Sequence, residues 1–335
     1  MDSSRGKSLV GPLLVMSGAS MWGLETYWRL ALSRTFAADV LVFHEHWIGL
    51  VLTLPFLVWG ARRLRTVSWR GWTSMLLSGV LGSALGTVCF TRAITLMNPS
   101  VANLLLNVQP LVSVAVSWVW LGERPRASFY PWAGVALLCG LALAWPTATL
   151  PSGGSGPLLS PDHVLAALHG SRLGLGLLFI AATAFCWGAS TTFGRGAMLE
   201  IDFRTGVSLR YAIGAVATFG VLAAGGLNRA RVNAAALGRP KVLENLLLLL
   251  LVAAITPTFL YFAGLARTKA SVATFAEMGQ TLAALVITWG TLGYGLNALQ
   301  VAAGALLLVA VALIHRSAES VPAPQPAEAE VGLAL

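Results

Sequence analysis

The sequence predicts an all-α polytopic membrane protein with ten transmembrane helices in a five-plus-five inverted repeat. Three observations predict it. Of 335 residues, 56% are apolar and only 10% are Asp, Glu, Lys or Arg, whereas a soluble domain carries roughly 25% charge. The apolar residues fall into ten runs close to the roughly 20 residues that a hydrocarbon layer about 30 Å thick requires of a helix. The second half of the chain also repeats the first at a fixed offset. Together with a mean hydropathy of +0.75, this composition excludes secreted disulfide scaffolds, coiled coils, disordered chains and ordinary cytosolic enzymes.

The first run, Leu9 to Ala31, follows Arg5 and Lys7. It is too long for a signal h-region and has no small-residue cleavage site behind it, so it reads as a retained signal anchor. Asp39 to Gly60, Trp72 to Ile94, Ser100 to Leu121 and Phe129 to Trp145 complete the first five. Leu173 to Ala197, Thr205 to Gly225, Leu243 to Ala266, Ala270 to Leu292 and Leu296 to His315 make the second five. In lipid a spanning backbone must satisfy its own hydrogen bonds, as a helix does, and the alternation of membrane strands over about 10 residues is not visible. Pro110 and Pro257, inside the fourth and eighth spans, each remove a backbone bond and free a carbonyl one turn earlier, which predicts kinks. Gly82 and Gly86, four residues apart, predict close packing of the third span on a neighbour.

Between the halves lies an extramembrane linker, residues 147–172, opening with Pro151-Ser152-Gly153-Gly154-Ser155-Gly156-Pro157, a flexible composition. Ser160-Pro161-Asp162 is placed to cap a short helix ending near Gly170. Residues 316–335 are rich in Pro, Ala and Glu and read as a disordered cytoplasmic tail. Cys89, Cys139 and Cys186 all fall within spans, where thiols pack as small apolar groups, and nothing suggests a disulfide or a metal site.

Charge sets the orientation. Of 22 Lys and Arg, thirteen fall on one side of the alternating loops and seven on the other, with Arg29 and Arg210 inside spans. This bias puts both termini in the cytoplasm. The loop from Asn228 to Glu244, with four cations on the outer side, runs against it. The net charge of +9 is thus topogenic and does not imply nucleic acid as a partner.

The repeat is the most informative feature. An offset of 171 places Ser100-Val101-Ala102 on Ser271-Val272-Ala273, Gln109 on Gln280, Trp118 on Trp289 and Leu121-Gly122 on Leu292-Gly293, with eight identities in 23 ungapped positions. It also places Thr87 on Thr258 and Phe90 on Tyr261. An offset of 165 places Trp22-Gly23 on Trp187-Gly188 and Ile48-Gly49 on Ile213-Gly214. Because five is odd, the second copy crosses the membrane in the opposite sense. Inverted repeats of this kind are a transporter architecture, with the substrate site near the midplane between the copies.

Trp22-Gly23, Ser100-Val101-Ala102, Pro110 and Leu121-Gly122-Glu123-Arg124, with Gly134 opening the next helix, resemble the EamA-type transporters of the drug/metabolite transporter superfamily. The resemblance covers about Gly11 to Leu313, with repeats at 9–146 and 173–315. It implies a ten-helix fold that exports or exchanges small metabolites through a central cavity lined by the first, third, fourth, sixth, eighth and ninth helices. Thr281 departs from the pattern at the position of Pro110, and Tyr294 at that of Glu123.

Ionisable groups within spans mark pathways or ligand sites. Trp22, Glu25 and Arg29 share one helical face. Glu25 lies about 24 Å along its span from the inner end. It is placed to hold a substrate ammonium or a proton, with Arg29 attracting a carboxylate and Trp22 supplying a cation-π wall; a self-satisfied Glu25–Arg29 pair is the structural alternative. Trp187 is the repeat partner of Trp22. The ninth span carries Thr274, Glu277, Gln280 and Thr281 at helical spacing, and the fourth carries Asn103, Asn107 and Gln109, as cavity lining or interhelical glue. Glu277, about 10 Å into its span, sits beside Phe275 and Met278, where keeping an ionised carboxylate is costly, so it joins Glu25 as a proton-coupling candidate. The two lie at different depths and are not expected to pair. Thr258 and Tyr261, after Pro257, supply cavity donors. Glu123, beside Arg124 and Arg126, reads as a solvated pair.

His44-Glu45-His46 suggests a metal, but residues two apart on a helix point about 200° from each other and the spacing is not that of a zinc protease. Glu45 aligns with Arg210, and inversion argues against a direct pair; His46 and Arg210 stand as secondary candidates on helices that the resemblance makes peripheral.

The function expected is secondary transport: export of amino acids or related amphiphilic metabolites by alternating access, at a bacterial inner membrane. The partners are a small-molecule substrate and the lipid bilayer, with protons and a second copy of the chain as candidates. No cofactor is implied, and no phosphate-binding loop suggests an ATP-driven pump. A proton-coupled exporter of cationic drugs, an intramembrane enzyme and a membrane scaffold are the alternatives. The enzyme reading lacks a nucleophile, metal or acid-base constellation at workable spacing.

Overall fold

The computed structural model describes residues 3–122, 127–144, 172–226, 235–268, 273 and 276–318. Expectations for the linker helix near Ser160, for Glu123 and Thr274, and for the tail beyond Ala318 concern residues outside this set.

Every regular element among the described residues is helical. The first apolar run forms α1 (Ser3–Gly23) and α2 (Glu25–Leu32). They are parted by a tight turn in which Leu24 N bonds to Met21 O at 3.1 Å and Tyr27 N to Leu24 O at 3.2 Å. Then come α3 (Ala38–Gly60), α4 (Trp69–Leu96), α5 (Pro99–Leu121), α6 (Phe129–Ala144), α7 (Arg172–Ala197), α8 (Phe203–Gly225) and α9 (Pro240–Leu265). Helix α10 (Met278–Leu285) continues as a π helix, Val286–Thr291, and α11 is Ala298–Ala318. Six of these, α3, α4, α5, α7, α8 and α9, are long and apolar enough to cross a membrane, and α6 and α11 contain shorter apolar stretches. The boundaries fall within a few residues of the apolar runs, because the caps are polar residues just outside them. Ser68 caps α4 by accepting from Gly71 N at 3.2 Å, Asn98 caps α5 from Ser100 N at 2.9 Å, and Asp202 caps α8 from Thr205 N at 3.2 Å. Each replaces a donor bond that a helix start otherwise lacks. Gly122 and Gly293, the repeated Leu-Gly positions, end α5 and the π segment with φ of 73° and 74°, a left-handed conformation open at low cost only to glycine.

The two prolines act through different local distortions. Pro110 is in the first turn of an α segment preceded by a 3-10 turn, Leu106–Val108. Pro257 follows a π stretch, Leu251–Ile255, and α4 carries its own π stretch, Ser78–Leu85, at the corresponding place. Such bulges misalign the backbone ladder and tend to sit at functional sites; here the Gly82 carbonyl accepts Trp187 Nε1 at 2.9 Å and Thr87 Oγ1 at 3.2 Å.

Packing follows a reciprocal scheme. Helix α1 packs on α9 and α10, and α7 packs on α4 and α5; α3 lies against α8, and α6 against α11. The Trp-Gly repeats explain the first pair of contacts. A Cβ on Gly23 would meet the Gln280 carbonyl and stand 2.8 Å from Ala284 N, and one on Gly188 would stand 2.6 Å from the Gln109 carbonyl. Only a residue without a side chain lets these backbones cross so closely.

Candidate functional site

Between these crossings lies a cavity of about 80 Å³. Its wall has contributions from α1, α2, α3, α4, α5, α7, α8, α9 and α10. The 165 and 171 offsets pair sixteen of the nineteen described lining residues with one another: Trp22 with Trp187, Glu25 with Ser190, Glu45 with Arg210, His46 with Tyr211, Gly82 with Ala253, Ser83 with Ala254, Thr87 with Thr258, and Gln109 with Gln280. The ring contacts follow the same exchange. Trp22 lies 4.6 Å from Tyr261, and Trp187 lies 5.1 Å from Phe90, the residue that aligns with Tyr261. Thr191, Tyr261 and Glu277 complete the lining.

Charge breaks this exchange. In the first copy, Arg29 is buried with no side-chain exposure and holds two carboxylates, Glu25 at 2.8 Å and Glu45 at 3.0 Å. Its other amino group donates to Thr91 Oγ1 at 3.1 Å. Both carboxylates reach the cavity, whereas Arg29 does not line it. In the second copy, Arg210 occupies the position that matches Glu45. Its Nη1 donates to Ser78 Oγ at 3.2 Å, to the Ser78 carbonyl at 3.3 Å and to Ser190 Oγ at 3.2 Å, while the guanidinium lies over the Phe262 ring at 5.5 Å. His46 bonds through Nδ1 to the Val42 carbonyl of its own helix at 2.8 Å. Glu277 accepts from Tyr261 Oη at 2.6 Å and Thr191 Oγ1 at 3.0 Å, both on Oε1.

Of the residues expected from the sequence, Trp22, Glu25, Gln109, Trp187, Thr258, Tyr261, Glu277 and Gln280 stand on the cavity wall. Arg29, Asn103 and Asn107 stand behind it. Asn107 Nδ2 donates to Thr281 Oγ1 at 2.9 Å and to the Leu104 carbonyl at 2.9 Å, and Asn103 Nδ2 donates to the Pro99 carbonyl at 2.8 Å and Thr26 Oγ1 at 3.4 Å. These amides join helices. One expectation is corrected: the helices that the resemblance makes peripheral, α3 and α8, bring Glu45, His46, Arg210 and Tyr211 to the cavity. They reach it because α3 and α8 cross with Gly49 against the Tyr211 ring and Gly214 against the His46 ring. Ser83, Thr87, Ser190 and Thr191 also line it; the repeat offset applied to Thr258 and Glu25 finds Thr87 and Ser190, and no sequence signal marks Ser83 or Thr191.

The arrangement is a small polar chamber with aromatic walls and opposed charges.

Comparisons with known proteins agree. The EamA-like transporter family matches residues 9–145 and again residues 174–316. A protein named riboflavin transporter ImpX, from Fusobacterium nucleatum subsp. nucleatum, is 26% identical over 314 residues, covering 91% of this chain and 97% of the relative. A protein crystal structure superposes with a TM-score of 0.56 at 18% identity, covering 94% of this chain and 99% of the other, a likeness of fold. Matched along both halves, this chain belongs to the EamA-like transporter family and is a membrane transporter, not an enzyme.

Proposed function

We propose that the chain is a secondary transporter in which two five-helix copies, inserted in opposite senses, enclose the central cavity and open it alternately to either side. The observation that carries this reading is the exchange of lining residues. A cavity whose wall maps onto itself under the repeat lies on the axis relating the copies, where rocking of one against the other opens opposite faces. The reciprocal packing of α1 on α9 and α10, and of α7 on α4 and α5, supports the same relation. The volume of about 80 Å³ is below the ~300–1,000 Å³ typical of ligand pockets, so a metabolite enters only when the helices part. The excess of Lys and Arg on one side favours cytoplasmic termini.

The substrate class we favour is a planar heteroaromatic metabolite with hydrogen-bonding edges, such as a flavin. Trp22, Trp187, Tyr211 and Tyr261 on the wall supply faces for stacking, Gln109 and Gln280 supply amides for its edges, and the name of the 26% identical relative points the same way. A second reading, an amino acid, is favoured by one feature: carboxylates and the Arg210 guanidinium sit at exchange-related places, and a zwitterion matches such a pair. The test is counterflow of riboflavin, aromatic and aliphatic amino acids and cationic dyes in proteoliposomes. Saturable riboflavin exchange supports the first substrate class, amino-acid exchange alone the second. Loss of all exchange relative to empty vesicles contradicts the transporter reading.

A further inference from the structure

The three lining residues without a lining counterpart form one hydrogen-bonded unit. Tyr261 and Thr191 both point hydroxyls at Glu277 Oε1, at 2.6 and 3.0 Å, and lie 3.1 Å from each other. The corresponding positions of the first copy are Leu106, Phe90 and Thr26, none of which carries an acid. The unit therefore belongs to the second copy alone.

The cavity's other acids are bound differently. Glu25 and Glu45 share Arg29 at 2.8 and 3.0 Å, so each has a cation in contact. Among the described residues, Glu277 has neutral donors alone. Arg210, whose field reaches it from α8, directs Nη1 to Ser78 and Ser190 and makes no ion pair with Glu277 among the described residues. Counting Glu25, Glu45 and Glu277 against Arg29 and Arg210 leaves one surplus negative charge around the buried chamber, apart from the imidazole of His46. A surplus buried charge is expensive, and a proton on Glu277 removes it without breaking a contact: Oε1 still accepts both hydroxyls and Oε2 carries the proton.

We propose that Glu277 is the exchangeable proton site of the cavity, held in place by Tyr261 and Thr191 as positioning residues, and that Glu25 is fixed by Arg29 and does not carry the proton. The inference rests on the transporter reading for its use in the cycle: one proton enters Glu277 from one side and leaves to the other when the cavity switches, while Tyr261 keeps its own. The groups that share the chamber are Arg210 and Tyr211 from α8, Tyr261 from α9, Glu25 from α2, and Glu45 and His46 from α3; α7 contributes the hydroxyl of Thr191, and α1 the indole of Trp22.

The test is infrared difference spectroscopy of the full chain in lipid vesicles, titrated between about pH 5 and about pH 9, without substrate. A titrating protonated-carboxyl stretch is expected in the wild type and in Glu25→Gln. In Glu277→Gln it is expected to be absent, and in Glu277→Asp present at a shifted frequency, which separates loss of the group from loss of the fold. Tyr261→Phe keeps the band but moves its midpoint. A band that survives in Glu277→Gln, or one lost in Glu25→Gln instead, overturns the assignment. Because the spectra need no flux, failure of the wild type to carry any compound counts against the transporter reading and not against the proton site.

Discussion

Replacing Arg29 by glutamine tests how the first copy is held together. The guanidinium has no side-chain exposure and bridges Glu25 of α2 and Glu45 of α3 at 2.8 and 3.0 Å, with Thr91 of α4 at 3.1 Å. The substitution leaves two carboxylates buried beside each other with no cation in contact. Removing one partner of a buried ion pair costs about 3–5 kcal/mol, and the cost here sits near the upper end because two acids are stranded. At roughly 2–4 °C per kcal/mol, the variant melts on the order of 10 °C below wild type. The twelve Trp residues make intrinsic fluorescence a suitable readout for purified protein in detergent. The triple change Glu25→Gln, Arg29→Gln, Glu45→Gln removes every charge of the set and recovers most of the loss, since neutral replacement of a whole buried ionic cluster is often close to neutral. An Arg29→Gln protein melting within about 2 °C of wild type refutes the reasoning, as does a triple variant no more stable than the single one.

Other expectations follow from contacts of known geometry. Gly23→Ala and Gly188→Ala push a methyl group against the Gln280 and Gln109 carbonyls, so each costs about 1–3 kcal/mol from overpacking; melting curves should show losses of similar size, and an unaffected variant argues against the close crossings. Asn107→Leu removes the bond to Thr281 and, acting as interhelical glue, costs about 0.6 kcal/mol. Its apparent substrate affinity in counterflow stays within about threefold, an energy difference below about 0.7 kcal/mol; a larger change would place Asn107 in the binding wall. Trp22→Ala removes a face that meets Tyr261 at 4.6 Å and weakens flavin exchange at least about tenfold, corresponding to about 1.4 kcal/mol of stacking; unchanged affinity argues against a stacking site.

Much of the fold was legible because membrane helices announce themselves by apolar length, and the polar caps and glycines stand where the runs stop. The repeat was legible for a physical reason as well. Trp-Gly and Leu-Gly recur because each copy needs one backbone crossing too close for a side chain and one left-handed helix end. Ile-Gly recurs because Gly49 and Gly214 each make room for a ring of the other copy. What the sequence did not yield was the position of α3 and α8. A helical wheel shows which residues of α3 share a face, but not which neighbour that face meets, so nothing in the pattern joins Glu45 to Arg29 although they stand 3.0 Å apart. The asparagines stayed open for a related reason: polar residues at helical spacing look alike whether they point at a cavity or at the next helix, and the bonds from Asn107 to Thr281 and from Asn103 to Thr26 are legible only in three dimensions.

On the proposed reading, the cavity between the copies is the path of the substrate. Thr87 and Thr258 are exchange partners on its wall, one from each copy, and an indole at either position overfills a chamber of about 80 Å³. Counterflow through Thr87→Trp and Thr258→Trp, each checked for a wild-type melting profile, is the direct measurement. Both variants should lose saturable exchange to the level of empty vesicles; well-folded variants that both exchange substrate at the wild-type rate would exclude the cavity as the path.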